Sequence, residues 1–93
     1  MSDQKRILVL ARRDHLEAMR VAAGLTIFGH QVHLVFMAQP VTEEIGTSEQ
    51  AELLEISGIE PETTVSEMAG ILPLLDSGEL AAAILDAHQV VNL

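Results

Sequence analysis

KRILVLARRDHLEAMRVAAGLTIFGHQVHLVFMAQPV, residues 5–41, holds the clearest changes of hydrophobic period in the chain. Ile7, Leu8, Val9, Leu10 and Ala11 form an unbroken apolar run, the pattern of a strand covered on both faces. From Asp14 the spacing turns helical. Leu16, Met19, Ala23 and Ile27 fall along one side, Val21, Leu25 and Phe28 widen the stripe, and Glu17 and Arg20 are left to solvent. Asp14 is placed to cap the first turn, Glu17 completes a capping-box-like pair, and Gly29 is placed to close the helix in a left-handed conformation. Residues 32–37 then read as a second buried strand. Strand, helix and strand in so short a span specify a right-handed βαβ unit on a parallel sheet, with Gly24 expected to let the helix approach the strands closely.

The remaining residues extend that sheet. Gln39 and Pro40 stop the second strand, and residues 41–46, with Glu43 and Glu44, read as a solvated polar loop. Thr47 opens Thr-Ser-Glu-Gln, a second capping-box pattern, ahead of Ala51, Leu53, Leu54 and Ile56 at helical spacing, and Ser57 and Gly58 end that helix. Thr63, Thr64 and Val65 are β-prone and give a short third strand at 63–66. Between residues 67 and 75, Gly70 and Pro73 break the apolar pattern, which predicts a helical turn followed by an extended segment, with a further short strand near 71–74. Asp76 or Ser77 caps a last helix reaching Ala87, and residues 89–92 close the chain as a strand. The expected architecture is a single α/β domain spanning residues 1–93, with a mostly parallel four- or five-stranded sheet flanked by helices in a flavodoxin-like sandwich.

Composition narrows the functions available. The 93 residues suffice for one core, and the 48% apolar share supports a packed globule. Phe28 and Phe36 are the only aromatics besides histidine, and the formal net charge is −9, so no nucleic-acid partner is expected. There is no cysteine, which excludes disulfides, thiolate metal sites and a cysteine nucleophile. Residues 1–4 are polar and lead directly into a strand, and no apolar run is long enough to span a bilayer. The expectation is a cytoplasmic protein with no membrane partner. Every basic residue, Lys5, Arg6, Arg12, Arg13 and Arg20, lies in the first part of the chain, and acids dominate from Glu43 onward.

The opening βαβ with AMRVAAGLTIFGHQVHLVF, the middle stretch ELLEISGIEPETTVSEMAGI and the closing ELAAAILDAHQVVNL resemble the DsrE/DsrF/DsrH-like proteins of sulfur relay, the superfamily of the TusBCD subunits. The resemblance implies a small α/β sandwich, homo- or hetero-oligomers, a sulfur-relay protein partner and, in active members, a persulfide-carrying cysteine near the end of the third strand. Thr64, Val65 and Ser66 stand in that vicinity here. A hydroxyl forms no persulfide, so within such a family this chain is expected to be a non-catalytic assembly or binding subunit.

The competing reading is an anion- or nucleotide-binding domain or a small enzyme. In open parallel sheets ligands bind beyond the carboxyl ends of the strands, which makes Arg12, Arg13, His15, Gln39 and Ser66 the candidate ligand-binding residues. Arg12 and Arg13 immediately precede a helix N-terminus, where free N–H groups favour phosphate, sulfate or thiosulfate. Against this stand the lack of a glycine-rich loop and the cap Asp14, which takes the same donors. His15, His30, His33 and His88 read as packing or hydrogen-bonding imidazoles, so no metal, cofactor or catalytic residue is expected. The first helix is apolar around most of its circumference after Arg20, and its excess surface together with the split charge predicts a homo-oligomer, dimer or trimer, with Val21 and Leu25 at the interface.

Overall fold

The computed structural model describes residues 4–93; the polar lead-in read at residues 1–4 lies, for its first three positions, outside the described residues. The opening unit folds as its pattern requires. Strand β1 (Arg6–Ala11) and strand β2 (Gln31–Phe36) run parallel in register from Arg6 opposite Gln31 to Ala11 opposite Phe36, and helix α1 (His15–Ile27) crosses between them. Helix α2 (Glu43–Gly46), helix α3 (Glu49–Ser57), strand β3 (Glu62–Thr63), a 3₁₀ turn (Ser66–Met68), helix α4 (Ser77–Asp86) and strand β4 (Gln89–Asn92) follow. The described strands form one all-parallel four-stranded sheet in the order β3-β2-β1-β4.

This order determines where the helices go. The chain steps from β1 to β2 to β3 in one direction, so right-handed crossovers lay α1 and α3 on the same face; it then returns across the sheet to β4, which puts α4 on the opposite face. Side chains alternate accordingly. Ile7, Val9, Leu34 and Phe36 pack with Ala18, Met19 and Ala22 of α1 and Leu54 of α3, whereas Leu8, Leu10 and Val35 meet Leu75, with Leu80 and Ala83 of α4 packed against them.

Several local readings need correction. The face α1 buries is His15, Ala18, Met19, Ala22 and Ala23, while Leu16 is partly and Ile27 largely exposed. Small side chains at i, i+4 spacing let the helix sit close to the strands; Gly24 does not, for a Cβ there would meet nothing within 4 Å. Asp14 caps α1 by accepting from the Glu17 N–H, but Glu17 turns its carboxylate to Arg20, and the Asp14 N–H goes to the Leu93 carbonyl, so no capping box forms. The loop expected at 41–46 contains the single helical turn of α2, capped by Thr42. Ser48, one residue beyond the expected Thr47, caps α3. The third strand is two residues long rather than spanning 63–66. The segment at 71–74 contributes one isolated parallel bridge, Leu74 to Thr63. Pro73 offers its carbonyl to the Thr63 N–H but has no N–H of its own, which stops a longer ladder.

Candidate functional site

The carboxyl ends of β1 and β2 bring most of the expected site residues together. Arg12 and Arg13 are exposed in the β1–α1 turn, and the amide of Gln39 reaches across to donate to the Arg13 carbonyl at 3.4 Å. The turn after β2 is tight. Ala38 has φ 72°, the only positive value among the described non-glycine residues, and the Gln39 N–H donates to the Met37 carbonyl at 2.8 Å. A Cβ in that region is strained, and here the strain aims Gln39 at the β1–α1 turn.

The other members of the set point elsewhere. His15 is buried, its ring edge-on to Phe36 at 5.0 Å between centroids, with Nε2 lying 3.5 Å from the Met37 carbonyl. Ser66 opens the 3₁₀ turn after β3, with β2 standing between that strand and β1. The backbone donors beside the arginines are also engaged: the Arg13 and Asp14 N–H groups both donate to the Leu93 carbonyl, at 3.2 and 3.0 Å, and Asp14 takes the Glu17 N–H. The crossovers reverse direction between β1 and β4, the usual place for a ligand in such sheets, and there Leu93 follows β4 and closes onto the β1–α1 turn.

The remaining histidines serve the framework. The His30 Nδ1 accepts from the Lys5 N–H at 3.2 Å, the His88 Nδ1 accepts from the Arg6 N–H at 2.9 Å, and His33 Nε2 pairs with the Glu62 carboxylate across β2 and β3. Arg6 pairs with Asp86 at 3.2 Å, and Arg20 with Glu17 on the outer face of α1. The hydrogen bond from Arg20, with its charge adding to it, holds the Glu17 carboxyl below the usual carboxylate range, and Glu17 in turn raises Arg20.

A second feature is absent from the sequence reading. An open groove of about 790 Å³ runs along α3 beside the short β3 edge. Met19, Phe36, Leu54, Ile59 and Met68, all buried, contribute to its lining, and Ile71 and Leu72 form its far wall. Glu43, Glu52 and Glu55 border it. The groove is built from residues spread between positions 19 and 72, so no local period announces it. The usable signal was the apolar Met68, Ile71 and Leu72 in a segment that Gly70 and Pro73 keep from forming a regular element. No helix among the described residues is long and apolar enough to cross a membrane. No protein-family model, curated protein or solved structure matches the chain.

Proposed function

We propose that this chain is a small cytoplasmic DsrE/DsrF-like subunit that acts without catalysis, by assembling with copies of itself as a dimer or trimer and by binding a partner protein, in sulfur relay or sulfur oxidation. The observation that carries the reading is the apolar surface at one end of the α1–α3 layer. Both helices run back against the parallel strands, so their C-terminal ends lie at the same end of the molecule. There Ile27, Phe28 and Ile56 are 75%, 82% and 82% exposed. Large apolar groups that open to water gain by mutual burial, at roughly 25 cal/mol per Å². The concentration of all basic residues before position 21 and the acidity of the rest supply the complementary charge. The closing helix and strand, α4 and β4, complete the kind of parallel sandwich that the resemblance implies.

The exposed Phe28 and Ile56 make a better probe of assembly than Val21 and Leu25. Val21 is half-buried and Leu25 packs against the core, so charge at either position would test folding as much as assembly. Phe28→Glu combined with Ile56→Glu is the cleaner variant. Light scattering at low micromolar concentration and physiological salt should give two or three times the 10.1 kDa chain mass. The double variant should give a monomer with an unchanged circular dichroism spectrum. A wild-type mass of one chain would refute assembly.

The alternative, an anion or nucleotide site, draws on one observation: Arg12 and Arg13 are exposed beside the point where the crossovers reverse. Phosphate, sulfate, thiosulfate and nucleotides in a thermal-shift assay separate the readings, since ligand binding raises the melting point with concentration. A dose-dependent shift that Arg12→Ala and Arg13→Ala abolish would establish the alternative; no shift would favour the subunit reading.

A further inference from the structure

We propose that the groove along α3 is a docking site for a basic amphipathic helix on a partner protein. This inference stands on the groove and not on the Ile27–Phe28–Ile56 surface, so either can fail without the other. The groove, at about 790 Å³, has room for several apolar side chains, and its lining is continuous with the main core through Met19, Phe36 and Leu54. Ile71, 74% exposed, and Leu74, 44% exposed, extend the apolar surface outward from its far wall.

Charge and hydrogen bonding select the occupant. Glu43, Glu52 and Glu55 border the groove, no Lys or Arg lines it, and none of these three carboxylates has a hydrogen-bond or ion-pair partner among the described residues. Glu52 and Glu55 are three apart on α3 and so share a side of that helix. The neighbouring hydroxyls are committed to the backbone: Thr42 accepts from the Ile45 N–H, Thr47 donates to the Glu43 carbonyl, and Ser48 donates to Ile45 and accepts from Ala51. These hydroxyls are thereby tied to the backbone, and the strongest polar groups left to orient an occupant are the three carboxylates. What remains is an apolar trough with a border of one charge sign, the complement of a helix with apolar anchors at i, i+3, i+4 and i+7 and Lys or Arg on its flanks. A second copy of this chain does not supply such a helix. Every Lys and Arg lies at or before Arg20, and the one basic residue within a helix, Arg20 in α1, is paired with Glu17.

The test is fluorescence anisotropy with two labelled synthetic helices that share a leucine face, one flanked by Lys and one by Glu. The Lys-flanked probe should bind with an affinity that falls as salt rises, and the Glu-flanked probe should bind at least ~10-fold more weakly. Glu52→Gln with Glu55→Gln, both on the surface, should weaken the Lys-flanked probe roughly 10-fold and flatten its salt dependence. Ile71→Asp, also at an exposed position, should weaken it about 10-fold or more by removing an apolar wall. Phe28→Gln with Ile56→Gln, which removes the exposed apolar pair without adding charge beside Glu52 and Glu55, should leave binding unchanged, which separates this site from assembly. Failure of the Lys-flanked probe to bind, equal binding of both probes, or full binding by the Glu52/Glu55 variant would overturn the proposal. Binding of dodecyltrimethylammonium without binding of the helix would overturn it too, by reassigning the groove to small organic cations.

Discussion

Gly24, Ala38 and Gly58 differ by one methyl group at most, yet a Cβ helps at the first and costs at the other two. Gly24 lies inside α1 with open space where a Cβ would stand, so Gly24→Ala should stabilise the fold by about 1 kcal/mol, the propensity difference in a helix interior. Gly58 ends α3 at φ 75°, and Gly58→Ala should cost roughly 1–2 kcal/mol. Ala38 is the reverse case: its φ of 72° suits glycine, so Ala38→Gly should stabilise by about 1 kcal/mol. Urea denaturation of the variants checks all three signs. Gly58 was legible because it follows a periodic helical run. Gly24 misled because a glycine on an apolar helix suggests close approach, when alanines at 18 and 22 make that approach instead. Nothing in Met-Ala-Gln announces a left-handed residue. Thr63 shows the same limit. It looked merely β-prone, yet its buried hydroxyl donates to the Phe36 carbonyl and accepts from the Val65 N–H, each at 3.0 Å. Thr63→Val should cost about 1–3 kcal/mol by stranding those groups.

Among the elements, the helices show how far pattern reading reaches. The positions of α1, α3 and α4 were legible, because caps and spacing agree: Asp14, Asp76 and Gly58 all stand where the sequence places a helix end, whereas the single turn of α2 carries too short a pattern and reads as a loop. In α4 the choice between Asp76 and Ser77 resolves to Asp76, whose carboxylate takes the Glu79 N–H at 2.7 Å while Glu79 takes the Asp76 N–H at 3.1 Å. Asp76→Ala should lower stability by about 1 kcal/mol and fray α4 first, which amide exchange along residues 77–80 would report. Which arc of α1 faces the sheet was less legible, since an almost wholly apolar helix offers several candidate faces. The Ala18–Ala22 side wins because small residues allow the closest packing. On its outer face the Glu17–Arg20 pair lies at the surface, with the Arg20 side chain exposed and Glu17 partly so, and is therefore screened. Glu17 is held below its unfolded value, so its small contribution is present above the ordinary carboxylate range and is lost as pH falls through the lowered value. Arg20→Ala should return the Glu17 titration, followed by NMR, to the ordinary range.

For the whole molecule, the parallel α/β class followed from the unbroken apolar run at 7–11 and the nearly continuous one at 32–37, interrupted only by His33, which together leave little face for solvent. The candidate site was legible only in part. Arg12, Arg13 and Gln39 do gather at the strand ends, but the direction of His15 depends on Phe36, and the groove depends on contacts among distant segments that no local pattern encodes. What the fold leaves uncovered is the basis of the functional account: two helix ends with large apolar side chains in water, on a chain whose charges are divided along its length. Hydrogen–deuterium exchange on the wild-type protein, compared between dilute and concentrated samples, tests assembly through that surface most directly. Protection that grows with concentration and centres on residues 25–30 and 53–58 is the predicted result. Exchange that does not change with concentration, or protection confined to α4 and the strand-end arginines, would contradict it.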